Sequence, residues 1–497
     1  MPTANLLPDI DGAQPTVVHL AAEYFPYART GGLAEAAWGL HRFQHRRGLK
    51  TAAVVPLYAS ARPHLRKLIA QGAPWSLRFG NRTETFSLWR DLEPASETPV
   101  WFIQHDGFFG RRGIYGEQGR DYPDNHLRFA AFSAAAVTAL PRIAAGPVLL
   151  HAHDWHAALA AVYLRTWGAG VPWYDRIPVS LSVHNGGYQG HFGPEVIAEI
   201  GLPWSLYHFT RLEWYGKTNF LKGGLTHCDT ATTVSPSHAE ELRTPDGGFG
   251  LHEVYQELGP RFSGVLNGID QTVWDPGHDE YIAARYLPGD LNGKPACKAD
   301  LQRRFGLPER SDVPLLALAG RMVTQKGLDL VVHNHGLFNG QAQFVFLGSG
   351  EKRFEDALFG LKSAMPGRIG VETRFSDELE HVLMAGADLF LMPSQYEPCG
   401  LTQMRAQRYG TIPVARRVGG LSDTIDDGVT GFLFDAFDER ALAGGLWRAL
   451  VEHSSPRAWR EMQDQAMQRD FGWDGVARQY EDIYARAIAR RASQLLH

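Results

Sequence analysis

Two cations in this chain stand where a loop can grip an anion. Arg321 and Lys326, in AGRMVTQKGLDL, follow an apolar run and precede a helical one. A guanidinium offers a phosphate two N–H groups and an ammonium adds a point charge. Alone, such a pair is as readily two solvated loop residues, but its place at the end of a strand favours ligand binding. Glu397 follows another strand in a turn bracketed by Pro393 and Pro398, with Gly400, Leu401 and Thr402 opening the next helix. A carboxylate fixed there stabilises a developing cation or orients hydroxyls, and the helix N–H groups bind phosphate. Cys399 has no paired base in the sequence and reads as a small buried residue.

Near the start, Arg29, Thr30, Gly31 and Gly32 precede a helix beginning near Leu33, where two glycines free the backbone to approach an anion. HAHDWHAAL, with His151, His153, Asp154 and His156, invites a metal reading. It has neither HExxH nor a Cys/His zinc spacing, and its imidazoles cross from a strand end into a helix and need not converge, so packing or substrate contact is the favoured role. His184, in SVHNGGYQGHF, ends a strand and is the better active-site histidine. Other nucleotide signatures fail. Gly216, Lys217 and Thr218 imitate the end of a P-loop whose first glycine would fall at Arg211, and Arg353 occupies the third glycine of a dinucleotide fingerprint begun by Gly348 and Gly350.

These residues need strands to present them. Short apolar runs recur, each followed by glycine or a small polar residue and then by helical periodicity: Thr16 to Ala22, Thr51 to Pro56, Val100 to His105, Pro147 to His151, Val179 to His184 and Thr230 to Ser235, then Pro314 to Ala319, Gln343 to Leu347, Ile369 to Glu372, Asp388 to Met392 and Ile412 to Ala415. Helical patterns include Leu33 to Arg47, His156 to Trp167, Leu401 to Tyr409, Glu439 to Glu452 and an amphipathic tail from Trp473 to Leu496. That rhythm predicts parallel βα units in two doubly wound domains, joined by a Gly-, Asp- and Pro-rich stretch from Leu266 to Leu291.

Composition narrows the class. A chain of 497 residues exceeds a single core, and 44% apolar with 21% charged residues is an ordinary globular balance. The 53 glycines and 29 prolines suit many tight turns better than a helical bundle. With 49 basic against 54 acidic residues and a net charge of -5, no nucleic-acid partner is expected, and a polymer partner should be neutral. Three widely spaced cysteines fit reduced thiols and a cytoplasmic setting, and no membrane span or signal peptide is expected.

The segments RTGGL, HAHDWHAAL, SVHNGGYQG, NFLKGGLTHCDTATTVSP, GVLNGID, GRMVTQKGLDL and PSQYEPCGLTQMRAQRYGTIPVARRVGGLSDT, in this order, resemble bacterial glycogen synthase and plant starch synthase, from about Val17 to Tyr484. The resemblance implies an α/β GT-B fold, two Rossmann-like doubly wound parallel-sheet domains with an interdomain cleft. Residues 1–15 would form a loose leader, 16–268 an acceptor-side domain, 269–472 a nucleotide-sugar domain, and 473–497 a helix returning to the first. The implied activity is retaining transfer of glucose from ADP-glucose to the non-reducing 4-hydroxyl of an α-1,4-glucan, without metal or cofactor. By the same resemblance Arg321 and Lys326 neutralise the leaving diphosphate, and Gly31 and Gly32 cradle it with the backbone around Leu401 and Thr402. His184 sits against the transferred glucose with Asp154 nearby, and Glu397 lies beneath the sugar beside Cys399 and Gly400. Arg29 and Asn267 join the donor contacts, and Asn185, Tyr188 and Tyr115 the acceptor and sugar pocket. The family usually has Lys at Arg29, and an aliphatic residue then Ala at Gly186 and Gly187. A GT-B transferase with a small acceptor, or an inactive glucan-binding protein on the same fold, are the rival readings; product chain length separates the first, and the joint presence of Arg321, Lys326, Glu397 and His184 argues against the second.

Overall fold

The computed structural model of the chain describes residues 6–92 and 98–496. It divides into two compact units, Met1–Val234 with Ala239–Leu266 and Trp473–His497, and Ser235–His238 with Asn267–Gly472.

The first unit is built on strands β1 (Thr16–Leu20), β2 (Thr51–Pro56), β3 (Pro99–Gln104), β4 (Val148–His153), β5 (Val179–Val183), β6 (Thr230–Thr233) and β7 (Phe262–Gly264). They pair in parallel in the order β7-β6-β5-β4-β1-β2-β3. Strands β2 and β4 are buried along their whole length, as expected where helices cover both faces of a parallel sheet. The order changes direction between β1 and β4, and loops at the carboxyl ends of two such neighbours diverge and leave a crevice. Helix α1 (Gly32–Arg46) leaves β1, α2 (Asn125–Ile143) packs on the sheet, and α3 (Asp154–Thr166) leaves β4 directly.

The second unit follows the same logic. Strands β8 (Leu315–Ala319), β9 (Gln343–Leu347), β10 (Ile369–Glu372), β11 (Leu389–Met392), β12 (Ile412–Arg416) and β13 (Phe432–Phe434) form a parallel sheet in the order β10-β9-β8-β11-β12-β13. Its reversal lies between β8 and β11. The short helix α4 (Thr402–Arg408) begins soon after β11.

The structure corrects several expectations. The leader is not loose from Leu6 onward: Leu7 is buried, Ile10 and Ala13 bridge, and the Gln14 amide donates to Leu7 O and Asp9. Leu7 completes an apolar cluster that water would otherwise reach; residues 1–5 of the expected leader lie outside the described residues. Ser235–His238, placed in the first domain by the sequence, go with the second unit, where Ser235 Oγ donates to Pro398 O and Ser237 to the Asp423 carboxylate. The connecting stretch from Leu266 to Leu291 is packed on the second unit, where Asp279 is buried between His381 (2.7 Å) and the Tyr409 hydroxyl (2.5 Å), and Trp274 stacks on His381. An antiparallel hairpin, Trp75–Phe79 with Arg82–Leu92, extends the first sheet, and neither it nor α2 was read from the sequence. The hairpin keeps few core-facing positions among exposed ones, and the alanines of α2 carry little periodic contrast.

Among the described residues no helix is long and apolar enough to cross a membrane. The last helix, α5 (Trp473–Leu495), sets Trp473, Val476, Tyr480, Ile483 and Tyr484 against Ala36 and Leu40 of α1. Gly39 sits under Trp473, and a Cβ on it would overlap the buried indole. Replacing glycine by alanine normally strengthens a helix by up to ~1 kcal/mol, whereas overpacking a core costs about 1–3 kcal/mol. Gly39→Ala is therefore expected to lower the urea midpoint of unfolding, and an unchanged or raised midpoint would contradict this packing.

Candidate functional site

Chemistry-bearing residues gather at the switch point of each sheet. In the second unit Arg321 and Lys326 leave β8 and Glu397 leaves β11. Arg321 is exposed, and its side chain makes no hydrogen bond or ion pair among the described residues. Lys326 Nζ lies 2.5 Å from Glu397 Oε2, which also accepts from Ser394 Oγ at 3.0 Å, and Glu397 is buried. A lone buried carboxylate is costly, and the ammonium and hydroxyl offset that cost by bonding it. The two loops are stitched together by Gln395 N–H donating to Gln325 O (2.8 Å) and the Gln325 amide to Tyr396 O (3.2 Å). Gly327 makes the approach possible: its φ is +72° and a Cβ there would overlap Pro393 O. Cys399 is buried, its thiol pushed up to about 12 by desolvation against the opposing backbone N–H of Asn267, and so is no nucleophile. Gly400, Leu401 and Thr402 lead into α4, whose start no side chain caps.

In the first unit, no side chain caps α1 at Gly31. Buried Glu23, which the sequence reading missed, organises the loop before it by accepting from Thr30 N–H (2.6 Å), Thr30 Oγ1 (2.7 Å), Gly31 N–H (3.1 Å) and the Tyr115 hydroxyl (2.6 Å). The Arg29 guanidinium lies 2.7 Å from Glu35 in the first turn of α1 and beside the Phe25 ring, so its charge is matched within the unit. Tyr115 stacks on His156 (4.7 Å).

Asp154 opens α3 directly from the end of β4, with a left-handed φ of +58° that a non-glycine residue adopts only under constraint. The constraint is visible: Asp154 Oδ1 accepts from the His184 backbone N–H at 2.6 Å. Burial pushes this carboxyl up to about 7 against the opposing N–H groups of His184 and Asn185. Asn185 Oδ1 accepts from Gly187 N–H (3.0 Å), and Tyr188 is half exposed. At Gly186 a Cβ would stand 2.6 Å from Leu242 Cδ2, which accounts for glycine there, given that Leu242 is fully buried.

Of the three imidazoles of HAHDWH two converge and the third does not. The His151 and His153 rings lie 4.2 Å apart and are joined by His19 of β1, while His156 stacks elsewhere. Their ring nitrogens fall within 4.8 Å of one another, a spacing a metal could use. Both nitrogens of each ring are already engaged. His19 bonds His153 (3.1 Å) and Gln44 (2.9 Å), His151 bonds Tyr484 (2.8 Å) and Ser182 (2.7 Å), and His153 also bonds His184 (3.0 Å). A metal would have to break this network, so the residues fit a hydrogen-bonded core better than a ligand set. Burial holds His19 and His184 down at about 4 and His151 and His153 well below their ordinary value, so the rings are neutral. His19 was legible in principle as a polar residue inside the apolar run TVVHL.

The family model of the starch synthase catalytic domain matches residues 16–257, and that of the group 1 glycosyl transferases residues 301–465. A glycogen synthase of Anaeromyxobacter sp. is 42% identical over 480 residues, covering 95% of this chain and 99% of that one. One from Syntrophotalea carbinolica is 39% identical over 475 residues, covering 94% and 98%. Among solved structures, the catalytic domain of starch synthase IV from Arabidopsis thaliana, bound to ADP and acarbose, matches with a TM-score of 0.87 at 32% identity over 96% of this chain and all of that one. Sucrose-phosphate synthase from Thermosynechococcus elongatus shares the fold, with a TM-score of 0.62 at 18% identity over 96% of this chain and 100% of that one.

The buried imidazoles and Asp154 act on stability in opposite senses. For His19 and His184 the unfolded chain binds protons near pH 6.5 and the folded chain only near 4, so stability is lost as pH falls through that window. Asp154 binds its proton near 7 when folded and near 3.8 when unfolded, so its contribution is present at low pH and lost as pH rises through 7. Asp154→Asn removes the second effect alone. The variant should lose more stability than wild type between pH 7.5 and 5 in urea unfolding, and an equal or smaller loss would contradict the assignment.

Proposed function

The chain belongs to the glycogen and starch synthase family of GT-B glycosyltransferases, and on that footing we propose that it elongates glycogen, moving glucose from ADP-glucose to the non-reducing 4-hydroxyl of an α-1,4-glucan with retention at the anomeric carbon. The observation that carries this reading is the second unit's switch point, where buried Glu397 is held by Lys326 while Arg321 remains exposed and unspent. Arg321, with Lys326, supplies positive potential to the leaving diphosphate. That role weakens the bond from glucose C1 to the phosphate oxygen as negative charge gathers on the departing nucleotide. Glu397, held by Lys326 and Ser394, stabilises positive charge growing on the glucose ring or orients its hydroxyls. In the second unit the backbone around Gly400, Leu401 and Thr402 and the side chain of Asn267 serve the donor; in the first, the uncapped start of α1 at Gly31 and Gly32, beside Arg29 on its Glu35 partner, offers backbone N–H groups to an anion.

His184, neutral and anchored through its backbone by Asp154, sits against the transferred glucose, with Asn185, Tyr188 and Tyr115 serving the acceptor and sugar pocket. The ADP in the starch synthase IV structure is the nucleotide that ADP-glucose would release. The free, buried thiols of Cys228, Cys297 and Cys399 suit work in the cytoplasm.

Glucose incorporation into glycogen, measured with ADP-glucose and with UDP-glucose, tests the reading. ADP-glucose should support incorporation, and Glu397→Gln should lower kcat by about 10²-fold or more, the usual worth of an electrostatic group at a charge-developing centre, while the protein stays folded. No incorporation from either donor would overturn the function, and near wild-type kcat in Glu397→Gln would remove that residue from it.

A further inference from the structure

The histidine network has a direction. His184 Nε2 lies 3.0 Å from His153 Nδ1, His153 Nε2 lies 3.1 Å from His19 Nδ1, and His19 Nε2 lies 2.9 Å from Gln44 Oε1. The other end of the Gln44 amide donates to the Tyr484 hydroxyl at 3.1 Å. Each neutral imidazole has one N–H and one bare nitrogen, and an amide oxygen only accepts. With the Gln44 amide oxygen toward His19, as the structure places it, the His19 proton sits on Nε2, which leaves His19 Nδ1 to accept from His153 Nε2–H. His153 Nδ1 in turn accepts from His184 Nε2–H. The series ends at His184 Nδ1, which carries no proton and has no partner among the described residues. Tyr484 closes the other end: with its oxygen already accepting from Gln44, it turns its own proton to His151 Nδ1 at 2.8 Å, and His151 donates from Nε2 to Ser182 Oγ at 2.7 Å.

Burial gives the arrangement its force. His19, His151, His153 and Gln44 are fully or almost fully buried, so a bond pointing the wrong way could not be replaced by water. Turning the amide of Gln44 over would reverse every proton along the series and place one on His184 Nδ1. A single amide in α1 thus sets the hydrogen-bonding character of a ring two imidazoles away.

We propose that Gln44 is a positioning residue that fixes His184 as the Nε2–H tautomer, so that His184 offers the transferred glucose a hydrogen-bond acceptor at Nδ1 and selects a sugar hydroxyl that donates. The second half rests on the reading of His184 given under the proposed function; the first half does not.

Protein labelled with ¹⁵N at histidine, examined by long-range ¹H–¹⁵N correlation at pH 7.5 with the His184 signals assigned by their loss in His184→Gln, tests the tautomer without any assay of turnover. The expected pattern for His184 is protonated Nε2 and bare Nδ1. Protonated Nδ1, or a doubly protonated ring, overturns the proposal. Kinetics then tests the consequence. Gln44→Met keeps the length of the side chain and removes both polar ends, and should lower kcat on the order of tenfold, the worth of one hydrogen bond, with the glucan KM little changed. Gln44→Glu keeps the acceptor toward His19 and should recover most of the loss. A folded Gln44→Met with wild-type kcat overturns the role of Gln44, and if that variant does not fold the wild-type spectrum decides. Should His184→Gln itself leave kcat unchanged while the spectrum shows the Nε2–H tautomer, the failure lies with the proposed contact to glucose, not with the network.

Discussion

A polar group buried at the carboxyl end of a parallel strand has no water to turn to, and that constraint shapes both units. Helices cover the two faces of each sheet, so the strand ends that carry the chemistry are also among the drier parts of the molecule. In the second unit the problem is a carboxylate, and Lys326 and Ser394 answer it. In the first it is a group of imidazoles, and they answer it by shedding charge and bonding to one another. The difference is chemical. A carboxylate left neutral would lose its use at a charge-developing centre, whereas a neutral imidazole can both donate and accept.

From this follows much of the local sequence. Gly327 is needed because Lys326 must be pressed close to the loop after β11. Asp154 holds a left-handed backbone because its carboxylate must reach the His184 amide. Tyr484 and Gln44, on two helices far apart in sequence, meet because the hydrogen bonds of His19 and His151 must end somewhere. Arg321 stands apart: it is exposed, and its side chain makes no hydrogen bond or ion pair among the described residues.

The strands that carry the site were legible from composition and punctuation, since unbroken apolar runs such as TAAVVP and QFVFL leave little choice in a parallel sheet. So was the placement of Arg321, Lys326, Glu397 and His184 at strand ends. What sequence could not reveal was partnership. Lys326 and Glu397 meet only because β8 and β11 are neighbours, a fact of topology that no local pattern encodes. The gathering of His19, His151 and His153 depends on the pairing of β1 with β4, and its ending at Gln44 and Tyr484 on two helices packing together. The role of Glu23 was hidden for another reason: a glutamate beside a turn looks solvated until the amides it caps are seen to surround it.

The most direct measurement uses ADP-glucose carrying ¹³C at glucose C1, a maltooligosaccharide acceptor, and ¹³C NMR of the reaction as it proceeds. The account predicts that label leaves the nucleotide and appears as an α-1,4-linked residue at the non-reducing end of a lengthened glucan, with ADP released in equal amount. Label in a β linkage, label released as free glucose, or a small glucosylated product beside an unlengthened acceptor would contradict it.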